Sequence, residues 1–483
     1  MKNIYRIIIV IFTSLSLFSC NDFLGNKPKG YTIPQYFEDF ALLMNGSALG
    51  NLGEGHPAFL TDDALLGGAN EPSFVDYTKK FGPFQACYDF RHGDIYPEGI
   101  DDGYFTKAYS QIFTYNVVIN NILNVPDATD KDKKALQAEA LVQRAYTYFK
   151  LVNVYAKQYD KFTADKDYGV PLVLSEDISK PYDRQSIAQV YEQIIYDLNS
   201  AFPNLKEVTA NSFHANKASC AAILAKVQLF MGDYSSALKN INIAYSLCKG
   251  VKLIDYKLYK ALDQGKYQNR IVEISSGLRF PYPIDDSENI LLKNSNYDLS
   301  SLIFASKDLI SVFKKNLPAN AIDKRFELFY AVDKANTFAN ITFPGFTMYV
   351  SHLMPNLGVT YQEVLLILAE CEARASEGSL EKSLSYLDKL RNMRIVNNTP
   401  LKVSTKEEAL QLALDERRRE MAFWGDTRFL DLKRLNKDER FAKTIVHTVL
   451  GEEVTLPPND PRYIMPLPYS VRELNPNIPQ YER

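Results

Sequence analysis

At 483 residues, with 46% hydrophobic and 12% aromatic side chains, the chain is long enough to bury an extensive core. Its 55 Lys and Arg stand against 58 Asp and Glu, so no polybasic surface is implied, and a nucleic-acid partner, which would draw on clustered cations, is not expected. The five cysteines form no CxxC pair and the five histidines no HExxH pair, which removes the common zinc sites.

The chain opens with Lys2 and Arg6, then an apolar run from Ile7 to Phe18, then Leu17-Phe18-Ser19-Cys20. The run is about a dozen residues, short of the roughly 20 that span a bilayer. Residues 1–19 are therefore expected to be a lipoprotein signal peptide, cut before Cys20. Diacylglycerol on the Cys20 thiol plus an acyl chain on the new amino terminus would give two anchoring signals, enough for stable membrane attachment. Loss of Lys2 and Arg6 leaves 53 basic against 58 acidic residues, a balance near −5. Residues 20–483 are expected to form a single body.

After Cys20, residues 21–30 are polar, with Gly25 and Pro28, and suit a tether. Residues 50–103 lack periodicity. From Tyr104 to Tyr159 the pattern becomes helical: Leu141, Ala145, Tyr148, Val152 and Tyr155 step by four and three and so share one face. Gly169-Val170-Pro171 breaks it. Ser186 announces a helix carrying Ile187, Val190, Tyr191, Ile194 and Leu198, which Pro203 stops. Next, Ala221, Ala222 and Ala225 permit close helix approach, Gly232-Asp233 turns the chain, and Tyr234, Ala237, Leu238 and Ile241 begin a partner helix. The same grammar returns with Val364 to Glu370, Gly378, then Leu380, Leu384 and Leu387. Such helix pairs bury a continuous core by stacking. Residues 104–250 and 358–440 are thus read as one right-handed, tetratricopeptide-like helical scaffold; helical hairpins of no particular family are the alternative. Residues 250–357 form a loop-rich, partly β insertion, with strand-like runs at 270–274 and 346–350. The proline-rich stretch 456–483 is expected to wrap the body in extended form without adding a helix. The fold class is mostly α.

The segment Glu416-Arg417-Arg418-Arg419-Glu420-Met421-Ala422-Phe423-Trp424-Gly425-Asp426-Thr427-Arg428-Phe429-Leu430-Asp431-Leu432-Lys433-Arg434 resembles the ERRRELAFEG-x-RWFDL-x-R signature of the SusD/RagB family. Cys20-Asn21-Asp22-Phe23-Leu24, Arg144-Ala145-Tyr146, Arg184-Gln185-Ser186 leading into Asp197-Leu198, Met465-Pro466-Leu467-Pro468 and Leu474-Asn475-Pro476-Asn477 add to the likeness, which runs over nearly the whole mature chain. Trp424 replaces the acid that the family usually has before the glycine, and one extra residue follows Asp426. Asp415 with Arg419, and Asp431 with Arg434, are spaced for same-face pairing, worth roughly 0.3–0.5 kcal/mol each if exposed. A structural role is expected for these arginines, tying helices to the C-terminal tail, with Trp424 packed beside them rather than serving as a ligand platform.

Catalytic signatures are missing. Gly25 to Gly30 has the glycine spacing of a phosphate loop, but Tyr31 replaces its lysine; Gly53 to Ala58 mimics a dinucleotide turn but contains Pro57. There is no G-x-S-x-G elbow and no EF-hand loop. Cys220 and Cys371 read as small buried hydrophobes, and the cysteine spacing demands no disulfide. Aromatics in the two irregular segments are the positive signal: Tyr77, Phe81 and Tyr88 in the first, Phe280, Tyr282 and Tyr297 in the second. A sugar ring lays its C–H face on an aromatic ring and needs acids, amides and arginine for its hydroxyls. Asp62, Asp63, Arg91 and Asn289 are the candidates for that task.

The family resemblance implies a binding protein and not an enzyme, lipid-anchored at the cell surface of the outer membrane; no cofactor and no dedicated metal site are expected, and acidic pairs such as Asp101-Asp102 leave room for calcium. It would capture an oligosaccharide or polysaccharide and act as a hinged lid on a SusC-like TonB-dependent transporter. The alternatives are a peptide-capturing, RagB-like protein, a surface glycan hydrolase and a purely structural subunit of the transporter.

Overall fold

A computed structural model describes residues 34–52, 55–66, 82–96, 102–177, 179, 182–262, 271–295, 303–332, 344–350 and 355–483. Cys20 with the signal segment and tether, and the candidates Tyr77, Phe81 and Tyr297, lie outside the described residues.

Helices dominate. In chain order they are α1 (Phe37–Met44), α2 (Gly82–Tyr88), α3 (Gly103–Asn121), α4 (Asp130–Tyr155), α5 (Ile187–Ala201), α6 (Lys217–Met231), α7 (Tyr234–Leu247), α8 (Lys307–Lys314), α9 (Lys324–Phe329), α10 (Tyr361–Arg374), α11 (Leu380–Arg394), α12 (Lys406–Met421), α13 (Thr427–Leu435) and α14 (Tyr469–Leu474). The stretch read as helical from 104 to 159 is two helices. Pro126 sits in the break, and Thr129 opens α4 by accepting a hydrogen bond from the Asp132 amide. Ser186 caps α5 in a reciprocal box with Gln189, as its sequence announces. Gly232 takes φ of 79° and so ends α6 in the left-handed region that glycine tolerates. Gly378 serves differently: a Cβ there would stand 2.2 Å from the Glu372 carbonyl oxygen, so no side chain fits between α10 and α11.

The stacking is continuous. Each of α3 to α7 packs on the next, and α7 then packs on α10, which packs on α11 and α12. The Tyr245 ring of α7 lies parallel to that of Tyr361 in α10 at 6.1 Å, and Lys389 of α11 donates to both hydroxyls, at 3.0 and 2.8 Å. The chain between α7 and α10 thus leaves the array and returns without breaking it. Its strands are short. Ala64–Leu65, Phe304–Ala305, Thr347–Tyr349 and Tyr330–Val332 form one antiparallel sheet, with Ala64 opposite Ala305 and Met348 opposite both Phe304 and Ala331. This sheet joins the two irregular stretches of the sequence. The other strand-like run appears as Ile271–Glu273, paired with Tyr259–Ala261.

The C-terminal stretch corrects one expectation. It does wrap the body: the Met465 amide donates to the Val154 carbonyl at 3.0 Å, and Arg184 donates to the Pro479 carbonyl at 3.1 Å. It also adds the short helix α14, entered from Pro468, because a proline at a helix start costs no hydrogen bond and presets φ. Cys87, Cys220 and Cys371 are buried, and all four cysteines of the described residues are free.

Candidate functional site

Five consecutive charged residues of α12, Glu416 to Glu420, are all buried. Successive helical residues point about 100° apart, so the five reach in every direction. Glu416 meets Arg325 at 2.7 Å, Arg391 at 3.0 Å and Arg419 at 2.7 Å. Arg417 holds Asp431 at 2.7 Å and Glu363 at 3.0 Å. Arg418 holds Asp63 at 2.6 Å and Asp308 at 3.0 Å, and Glu420 accepts from Arg325 and Arg394, both at 2.9 Å. Arg428 grips Asp62 through two 2.8 Å bonds, and Arg434 grips Glu370 the same way at 2.6 and 2.9 Å. A charge removed from water must find a close counter-ion or stay neutral, and here arginines supply it. Burial alone would raise the Glu416 carboxyl; Arg325, Arg419 and Arg391 more than offset that and hold it well below the usual range. Asp431, between Arg417 and Arg434, behaves likewise.

This hub revises the pairing read from spacing. Asp431 does meet Arg434, at 2.8 Å, but in the interior. Asp415 and Arg419 do not pair: Arg419 turns to Glu416 and to the carbonyls of Val312 and Lys315, and Asp415 accepts from Gln411. Nor do the arginines bind the C-terminal tail. Their partners are residues 62–63, the insertion and helices α10, α11 and α13, because spacing along one helix is blind to what packs around it.

One flank of the hub opens into a cavity of about 780 Å³. Its walls are the rings of Tyr256, Phe280, Phe329, Tyr330, Tyr349 and Trp424. The floor is polar and includes Asp286, Glu288, Asn289, Asn356 and Gln362. Arg394 lies beneath Tyr256, its guanidinium carbon 3.9 Å from the ring centre, and binds Glu288 at 2.6 Å. Burial, opposed by Arg394 and reinforced by Asp286 and Glu420, pushes the Glu288 carboxyl up to about 7. Burial also raises Asp286, which accepts from the Glu288 amide at 2.8 Å. Gln362 Oε1 is buried with no hydrogen-bond partner among the described residues. Asn356 ties the floor together, donating to Asn289 Oδ1 at 2.7 Å and accepting from the Lys293 and Gly358 amides. Trp424 is presented by the sharp turn between α12 and α13, where Phe423 takes a φ of 62°, uncommon for a residue with a side chain.

The residues singled out in the sequence scatter. Asn289 lines the cavity, as does Phe280, and Tyr282 stands beside it, half exposed, accepting from Arg279 at 2.8 Å. Asp62 and Asp63 are buried counter-ions of Arg428 and Arg418. Tyr88 is buried with its ring stacked on His447 at 4.1 Å, so these three stand as core and hub groups, not on an open ligand face. Arg91 lies on the surface, 3.3 Å from Asp89. Trp424 corrects the expectation that it is only packed: half buried against the core, it also faces the cavity. Its signal in the sequence was the departure from the signature, an aromatic ring where an acid is usual. Asp286, Glu288 and Gln362 carried no such mark.

Two family models match the chain, one described as starch-binding associating with outer membrane over residues 64–229, the other as the SusD family over residues 361–482. A SusD-like protein P2 from Formosa agariphila is 26% identical, with 99% of each chain covered. Among solved structures, a SusD superfamily protein from Bacteroides thetaiotaomicron superposes with a TM-score of 0.67 at 19% identity, covering 93% of this chain and all of that one. A putative sugar binding protein from Bacteroides vulgatus gives 0.66 at 18%, covering 93% and 99%. The helical array, the arginine-rich hub where the signature lies and these matches agree, and together they support the SusD/RagB family for this chain.

Proposed function

We propose that the protein binds carbohydrate in the aromatic-walled cavity, at the outer surface of the outer membrane, and delivers it to a SusC-like TonB-dependent transporter. The observation that carries this reading is the pairing of aromatic walls with a floor of acceptors, among them the unpartnered Gln362 Oε1. Rings offer faces for sugar C–H bonds, and carboxylates and amides accept from hydroxyls. Matches described as starch-binding and as sugar binding support the same ligand class. Lipidation at Cys20 tethers the body, and ligand held between this protein and the barrel favours closure by its greater affinity for the closed state.

Calorimetry of the mature protein against a panel of oligosaccharides, with peptides as a second panel, tests the reading. Saturable binding of a glycan, with no new reducing ends on prolonged incubation, is expected. Titration by peptides alone would replace glycan by peptide as the ligand, and turnover would make the protein a hydrolase.

A further inference from the structure

A second cavity, of about 870 Å³, lies where the end of α1 and the turn after it meet α3, α4 and the loop at 211–214. It shares no lining residue with the aromatic-walled cavity. Its frame is cross-bonded. Gln111 donates to the carbonyls of Ala48 and Asn51, both at 2.7 Å; the Asn294 amide donates to Gly50 and the Leu292 amide to Ser212, again at 2.7 Å. Into this frame project two buried polar side chains whose bonding is incomplete. Lys293 is 3% exposed, and its ammonium, with three donors, meets the Leu49 carbonyl. Gln143, also 3% exposed, donates to the Phe213 carbonyl at 3.2 Å, while its Oε1 has no partner among the described residues.

We propose that this cavity binds a small carboxylate that also carries hydroxyl groups, an acidic monosaccharide unit of the uronic type, with Lys293 as its anchor. The charge balance selects the class. The acid that acts on Lys293, Glu139, is engaged by His214 at 2.7 Å, so among the described residues the ammonium has no counter-ion of its own. A neutral sugar would leave it so, whereas a carboxylate supplies one. Gln143 Oε1 is an acceptor and calls for a donor, which a hydroxyl provides and a bare anion does not. The Phe213 ring borders the same space and offers an apolar face. Burial pulls Lys293 down to about 7, with Glu139 opposing it. Bound carboxylate would favour its charged form and draw in a proton. His214 is raised by its bond to Glu139, and once it gives up its proton the charge of Glu139 is unbalanced, so both groups weaken anion binding as pH rises.

The test is calorimetric titration of the mature protein with D-glucuronate, D-glucose and acetate at pH 6 and pH 9. Glucuronate is expected to bind at least tenfold more tightly than either control at pH 6 and to weaken at least tenfold at pH 9. Lys293→Gln is expected to abolish the preference, with the emission of Trp424 undisturbed by glucuronate. Equal binding of glucose, equal binding of acetate, no binding at all, or a preference that survives Lys293→Gln would each overturn the proposal. If that variant does not fold, the comparison among probes and pH values in the natural protein decides. Because Trp424 lines the other cavity, glucuronate that shifts its emission has bound there, which would overturn this proposal without touching the glycan reading.

Discussion

The hub around α12 and the cavity beside it bury charge in opposite ways. In the hub, carboxylates such as Glu416 and Asp431 face two or three guanidinium groups and are held well below their ordinary range. At the cavity, Glu288 shares Arg394 with Glu420 and has Asp286 as a neighbour, and burial carries it up to about 7. The difference teaches where charge serves the fold and where it is left for something else. A carboxylate saturated by arginines has no capacity to spare, while a raised acid and an unpartnered amide oxygen are a standing demand for hydroxyl groups.

Breaking the hub should have the largest effect. Glu416→Ala removes the carboxylate on which Arg391 and Arg419 depend, while Arg325 keeps Asp323 and Glu420, and a loss of about 3–5 kcal/mol in urea-unfolding free energy is expected; a loss under 1 kcal/mol would mean that the hub is solvated. The pH dependence sharpens the contrast, because the two kinds of carboxylate have opposite signs. Glu416 and Asp431, lowered in the fold, contribute stability that is present above about pH 4.5 and is lost as pH falls, roughly 2–3 kcal/mol for each strongly depressed group. Glu288, raised, contributes stability that is complete below about 4.5 and is lost as pH rises through about 7, at most about 1.4 kcal/mol per pH unit. Unfolding curves from pH 3 to 8 should therefore show Glu288→Gln flattening the decline between pH 5 and 7 and leaving the acid limb intact. On the cavity side, Trp424→Ala should weaken glycan binding about tenfold, roughly 1.4 kcal/mol. The smallest effect belongs to the surface: Glu407, 3.0 Å from Arg440 and largely exposed, should cost less than about 0.5 kcal/mol when replaced by alanine.

The helical scaffold was legible in the sequence because its signals are local. A cap at Ser186, a left-handed turn at Gly232 and a close approach at Gly378 act within a few residues of where they are written. Helix α14 was not legible, since six residues opened by a proline look the same as the extended chain around them. The site was legible in part: Asn289 and Phe280 lie where an aromatic, amide-bearing insertion would put them. Asp62 and Asp63 misled because acids in an irregular loop look alike whether they face solvent or an arginine; Asp63 and its partner Arg418 are 355 positions apart. Glu288 and Gln362 acquire their character from what buries them, and neither spacing nor composition records that.

The central claim is that ligand enters the cavity walled by Trp424. The chain has a single tryptophan, so its emission reports on that wall alone. Titrating the glycan that calorimetry identifies while recording tryptophan fluorescence should give a saturable spectral shift with the calorimetric midpoint. Calorimetric binding that leaves the emission unchanged, and that persists at full strength in Trp424→Ala, would contradict it.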